Sequence, residues 1–186
     1  MALTLLRHSE PLIEPGICYG RSDIAARELS EAELSEIIRA APEGLARIDT
    51  SPLSRCTILA ERLAERLNLP LKSDPRLQEI DFGRWELVAW DDIPRDEIDA
   101  WASDVTGAKP HGGESVADMT ARVRSYLDDT PYRQEDILVV THMGVVRCAH
   151  AVFGYEGALE MKLGYVQTMT FNFPMPLQRS DKGQHQ

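Results

Sequence analysis

Arg7, His8, Arg55 and His142 are two guanidiniums and two imidazoles; Arg7, His8 and His142 close short apolar runs, and Arg55 follows shortly after another predicted strand. Two arginines can bind a phosphoryl dianion in fork geometry. One histidine can supply a nucleophilic ring nitrogen, and a second can donate to a non-bridging oxygen as the phosphoryl group transfers. A protonated glutamate beside them can hand its proton to a departing alkoxide. Such a set needs no metal or other cofactor. The chain carries no GxxxxGK[ST], GxSxG or HExxH pattern that would support a competing chemistry. Taken singly, each residue also has an ordinary reading, as a charged pair at a surface turn or a solvent-facing arginine.

The elements that must position these residues are those of an α/β chain. Leu3 to Leu6 reads as a strand buried on both faces, and it ends in Arg7-His8. Asp136 to Val140 is the clearest buried parallel strand, and it ends in Thr141-His142 before a helix through Val145, Val146, Ala149 and Phe153. Polar residues closing apolar strands fall at the carboxyl edge of a sheet, where ligand crevices form. Two histidines so placed can face one crevice. Arg55 follows a third strand, Leu45 to Thr50, and lies in the first turn of a helix with Ile58, Leu59, Leu63 and Leu67 on its inner stripe. A cation there opposes the helix dipole unless an anion binds nearby.

Between these pieces, Pro11 to Asp23 is a loop that can fold over the first strand's end. Ser30-Glu-Ala-Glu33 is a capping box opening a helix to about Ala41. Leu71 to Leu77 is extended with a break at Pro75. Gln78 to Glu86 sets several carboxylates among aromatic residues, which can raise the pKa of a buried carboxyl toward that of an acid catalyst. Trp90 to Trp101 reads as one amphipathic helix with Ile93, Ile98 and Trp101 inward. Ser115 caps a helix whose inner stripe is Val116, Met119, Val123 and Leu127. Gly164 to Phe173 reads as a final strand. Residues 1–173 form one domain, and 174–186 are a polar, disordered tail.

A chain of 186 residues with a 43% hydrophobic and 27% charged composition fits one well-buried core. A net charge of −10 argues against binding nucleic acid or an anionic membrane, though not against a local cationic pocket. The first residues are strand-like rather than a signal sequence, and no apolar run has the length of a membrane span. Cys18, Cys56 and Cys148 are odd in number and far apart, which suits reduced packing thiols in the cytoplasm.

Five segments taken together carry a resemblance: Leu-Leu-Arg7-His8, Ser51-Pro-Leu-Ser-Arg55, Leu77-Gln-Glu79-Ile-Asp-Phe-Gly83-Arg-Trp-Glu86, Gly112-Gly-Glu-Ser115 and Thr141-His142-Met-Gly144-Val-Val-Arg147. In this order they resemble the histidine phosphatase superfamily, from Leu3 to Phe171. The resemblance implies a three-layer α/β/α fold, phosphoglycerate mutase-like, with a mostly parallel central sheet. It implies that His8 is the phosphorylated nucleophile, that Arg7, Arg55 and His142 form the phosphate pocket, and that Glu79 is the general acid. Gly16 to Asp23 and Trp90-Asp-Asp-Ile93 resemble the α-ribazole phosphatase-like branch. In the first of these segments Tyr19 and Arg21 are further candidate substrate contacts, Arg21 reaching a substrate's distal part or lying solvated on the loop. The expected partner is a small phosphate ester, and the expected assembly a monomer or homodimer. A weakly active phosphoryl-ligand binding protein of this fold, or a mutase, are the alternatives; 186 residues leave little room for the extra segments of a mutase. Three positions depart from the family pattern: Ser9 replaces a usual glycine, Met143 a usual small residue, and Leu87 the glycine after Trp85-Glu86. A side chain at Ser9 is expected to narrow the pocket or alter the backbone's approach to phosphate.

Overall fold

Five strands lie in the order β3-β2-β4-β1-β5, where β1 is Ala2–Arg7, β2 Leu45–Thr50, β3 Leu71–Ser73, β4 Asp136–Thr141 and β5 Thr168–Asn172. The first four are parallel, and β5 runs antiparallel against β1. The computed structural model describes residues 1–173. The predicted polar tail, 174–186, lies outside the described residues.

Helices cover both faces, giving the three layers expected. Alternation along the strands divides the core. Leu3, Leu5, Ile137 and Val139 face α4 (Val116–Asp129) and α5 (Met143–Val152). Leu6, Ile48, Leu138 and Val140 face α1 (Glu31–Ala40) and α2 (Ser54–Leu67). Ser30 and Ser115 make the predicted N-caps, both as complete capping boxes. A smaller apolar cluster of Cys18, Trp85 and Ile93, with Phe82, Trp90 and Trp101 against it, supports the long connection between β3 and α4.

Three expectations need correction. Ile58 is 48% exposed, because the inward face of α2 runs through Cys56, Leu59, Ala60, Leu63 and Ala64. The single helix from Trp90 to Trp101 is instead a 3₁₀ turn, Trp90–Asp92, followed by α3 (Arg95–Ser103). Pro94 divides them, since proline is tolerated at a helix start and not within one. The last strand is shorter than predicted, because residues 164–167 form a turn closed by a bond from Gln167 N–H to Gly164 O.

Register is what assembles the site. Arg7 pairs with Thr141 across β1 and β4, and Thr50 with Val140 across β2 and β4. His8, His142 and Ser51 therefore leave three adjacent strands at one level of the carboxyl edge.

Candidate active site

His8 and His142 face each other with ring centroids 5.0 Å apart, and both are buried. His8 N–H continues the ladder by donating to Thr141 O at 3.0 Å. The His8 Nδ1 lies 2.6 Å from Ser9 O, a geometry that makes Nδ1 the protonated nitrogen. The lone pair then sits on Nε2, which has no hydrogen-bond partner among the described residues. Burial, with the nearby charges of Arg55 and Arg7, lowers the His8 pKa to about 3 despite the opposing bond to Ser9. The imidazole is neutral at pH 7, as a nucleophile must be.

The tautomer of His142 follows from its neighbours. Arg55 Nε donates to His142 Nδ1 at 3.3 Å, so the ring proton is on Nε2, 2.8 Å from Ser51 Oγ. Burial, then the charges of Arg55 and His8, hold this ring neutral as well. Both nitrogens are thus engaged within the protein. Donation from His142 to a phosphoryl oxygen would require one of these bonds to be exchanged; as it stands, the ring positions Arg55.

Arg55 is not the solvent-facing residue its ordinary reading suggests: it is 1% exposed. Its Nη1 donates to Ser22 O at 2.7 Å and its Nη2 to Gly20 O at 2.6 Å. The anion expected at the start of α2 is supplied by the protein itself. Asp23 accepts from both the backbone N–H and the hydroxyl of Ser54. Glu86 holds the same loop, accepting from the N–H groups of Gly20, Arg21 and Ser22 and from the Ser22 hydroxyl. Burial alone would raise the Glu86 pKa, but these bonds outweigh it and keep the carboxyl below its usual range.

Arg7 donates from Nη1 to Leu163 O at 2.6 Å, and its guanidinium stacks 3.9 Å over the Tyr165 ring. Its Nε is a buried donor without a partner among the described residues, which suits an anion arriving beside His8. Tyr165 also lies against His8, at 5.8 Å between centroids, and its hydroxyl is 3.4 Å from that of Tyr19.

Glu79 is half-buried and lines a cavity of about 610 Å³. One carboxylate oxygen accepts from Ile80 N–H at 3.0 Å, and the other from Gly144 N–H in the first turn of α5 at 3.1 Å. A Cβ at Gly144 would overlap the Glu79 carboxylate, so glycine is required for this approach.

The structure thus brings together Arg7, His8, Arg55 and His142, with Glu79 and Tyr19 on the adjoining cavity. Arg21 turns elsewhere, pairing with Asp81 at 3.4 Å and Glu114 at 3.6 Å. The Ser9 hydroxyl is engaged within the protein, donating to Arg27 O at 2.7 Å. Sequence reasoning missed Ser51, Glu86 and Tyr165 as site residues. Ser51 had a usable signal, its place directly after β2; Tyr165 had none. Among the described residues no cluster of three or more His, Cys, Asp or Glu is arranged to hold a metal ion, and no helix is long and apolar enough to cross a membrane.

Comparison with known proteins identifies the family and the fold. The chain is 29% identical over 165 residues to phosphoserine phosphatase 1 of Hydrogenobacter thermophilus, covering 83% of this chain and 77% of that protein. It is 29% identical over 157 residues to the adenosylcobalamin/alpha-ribazole phosphatase of Salmonella typhimurium, covering 78% and 76%. The fold matches the mycobacterial glucosyl-3-phosphoglycerate phosphatase with a TM-score of 0.74, at 24% identity over 91% of this chain and 88% of that one. The model of the histidine phosphatase superfamily (branch 1) matches residues 3–170. With the paired histidines and arginines at one sheet edge, this makes the chain a phosphatase that belongs to branch 1 of the histidine phosphatase superfamily.

Proposed function

We propose that the protein is a metal-independent phosphomonoesterase acting on a small organic phosphate through a phosphohistidine. One observation carries this reading: the His8 Nδ1 lies 2.6 Å from Ser9 O, leaving a neutral Nε2 lone pair within the field of Arg55 and Arg7. In the first half-reaction Nε2 attacks phosphorus and the bond to the ester oxygen breaks. Glu79 gives its proton to the departing oxygen. In the second, water attacks phosphorus as Glu79 takes back a proton, and the P–N electron pair returns to Nε2. Arg7 and Arg55 offset the charge on the phosphoryl oxygens throughout.

The first substrate to test is α-ribazole 5′-phosphate, supported by the likeness to the Salmonella typhimurium enzyme and by the Gly16 to Asp23 loop. This would place the protein late in cobalamin assembly. Three buried free thiols support a reducing compartment, the cytoplasm. The test is turnover of a panel containing α-ribazole 5′-phosphate, phosphoserine and 4-nitrophenyl phosphate, with and without EDTA. Hydrolysis unaffected by EDTA and blocked by vanadate is expected, with the highest kcat/KM on α-ribazole 5′-phosphate. Loss of turnover on chelation would overturn the metal-independent mechanism, and a better substrate in the panel would overturn the assignment.

A further inference from the structure

The cavity beside Glu79 has a composition the hydrolytic mechanism does not require. Its walls include Phe82, Trp101, Met119, Met143 and Leu159, and the charged side chains among its lining residues are Glu79 and Arg147. Volume of about 610 Å³ suits a ligand with a sizeable body rather than a three-carbon alcohol. Met143, one of the departures from the family pattern, lies on this wall rather than in the phosphate pocket.

Arg147 is placed with equal definition. It stands three residues after Gly144 on α5, hence one helical turn beyond the point that holds Glu79, on the same face. Its Nε donates to Met161 O at 3.1 Å, which fixes the plane of the guanidinium. Among the described residues no carboxylate pairs with it. A cation on an apolar wall, anchored at one nitrogen and without a counter-ion among the described residues, suits an anionic oxygen brought by a ligand.

From this arrangement we infer that the leaving-group subsite takes an alcohol with an apolar, aromatic-sized body carrying an anionic oxygen at its far end. The phosphoryl group lies at His8, the ester oxygen at Glu79, the body against the apolar walls and the distal oxygen on Arg147. This inference rests on the proposed phosphomonoesterase reading and not on α-ribazole 5′-phosphate as its substrate: the benzimidazole of that ester would meet the apolar walls but bring no anion to Arg147, so the inference points to a different, distally anionic ester as the better substrate.

Three primary alkyl esters test it, because their leaving groups are close in basicity: glycerol 3-phosphate, 3-phenylpropyl phosphate and 3-(4-carboxyphenyl)propyl phosphate. The expected kcat/KM rises roughly 30-fold from the first to the second, as an aromatic body is buried, and about 10-fold more for the third. Arg147→Met should remove the advantage of the third over the second. Leu159→Glu, at a position already 43% exposed, should shrink the advantage of the second over the first. Binding of the same esters to the inactive His8→Ala protein, read by calorimetry, should follow the same order and tests the subsite without turnover. Equal or better handling of glycerol 3-phosphate, or a carboxylate advantage that is absent or survives Arg147→Met, would overturn the inference. Failure of every ester to turn over, with the binding order intact, would instead count against the phosphomonoesterase reading and leave this one supported.

Discussion

Arg55 donates to the His142 ring at one nitrogen while Ser51 takes up the other, so an arginine on α2 and a histidine at the end of β4 fix one another's orientation. The pair explains how a cation can sit in the first turn of α2 while 99% of its surface is withdrawn from water. Its charge is offset by the carbonyls of Gly20 and Ser22 and by Asp23 at the same helix start. These bonds hold the guanidinium in one orientation, which would preorganise it for the phosphoryl oxygens in the proposed reaction.

Acid should destabilise the fold through its paired histidines. Burial and neighbouring arginines lower both pKa values, to about 3 for His8. In the unfolded chain the same groups bind protons below about pH 6.5. Between these limits the unfolded state holds more protons, so stability is fully present above 6.5 and falls as pH drops toward 3. His8 contributes on the order of 1 kcal/mol per pH unit in that window, and His142, lowered in the same direction, adds to the fall. Urea unfolding of the wild type and His8→Asn across pH 4 to 7 should show a shallower slope for the variant.

Removal of Glu86 should loosen the phosphate site from a distance. Glu86→Ala strips the N–H groups of Gly20, Arg21 and Ser22 of their acceptor, at a cost of about 2–4 kcal/mol in stability. Because Gly20 O and Ser22 O anchor Arg55, kcat should fall about 10-fold or more at a temperature where the variant remains folded. Glu86→Gln keeps one acceptor oxygen and should fall between. Steady-state kinetics beside a melting curve separate the two effects.

Leaving-group dependence should expose Glu79. Glu79→Gln removes the transferable proton, so alkyl esters should lose about 100-fold or more while 4-nitrophenyl phosphate loses far less. Gly144→Ala should reproduce this selectivity more weakly, because its new methyl group displaces the Glu79 carboxylate. Equal loss on both ester types would remove Glu79 from the acid role.

A purely structural contact gives a contrasting case. Tyr126 on α4 donates to the buried Asp49 at 2.7 Å, and Arg47 donates to the same carboxylate at 2.8 Å. Tyr126→Phe leaves a buried oxygen short of one donor and should cost about 1–3 kcal/mol. The urea midpoint should fall with an unchanged m-value and little change in KM.

How much of this was legible in the sequence follows from the range of each interaction. Leu3 to Leu6 and Asp136 to Val140 announced β1 and β4, because buried parallel strands are continuous apolar runs; their polar ends placed His8 and His142 at one edge. The capping box at Ser30 and the N-cap at Ser115 are local signals, and both form, the second closing into a capping box with Asp118. Glu79 stood out among neighbouring carboxylates only through family likeness, since nothing local distinguishes it from Asp81 or Glu86. Tyr165 and the Glu86 clamp depend on chain segments far apart in sequence, where no periodicity points. The helix read across Pro94 failed because apolar spacing outweighed a breaker that should have ended it.

The central claim is that His8 becomes covalently phosphorylated. Rapid quenching of the enzyme with a ³²P-labelled ester tests it most directly. The account predicts protein-bound label that is stable in base, labile in acid, carried by the peptide containing His8 and absent from His8→Ala. Label on another residue, or full turnover by His8→Ala, would contradict it.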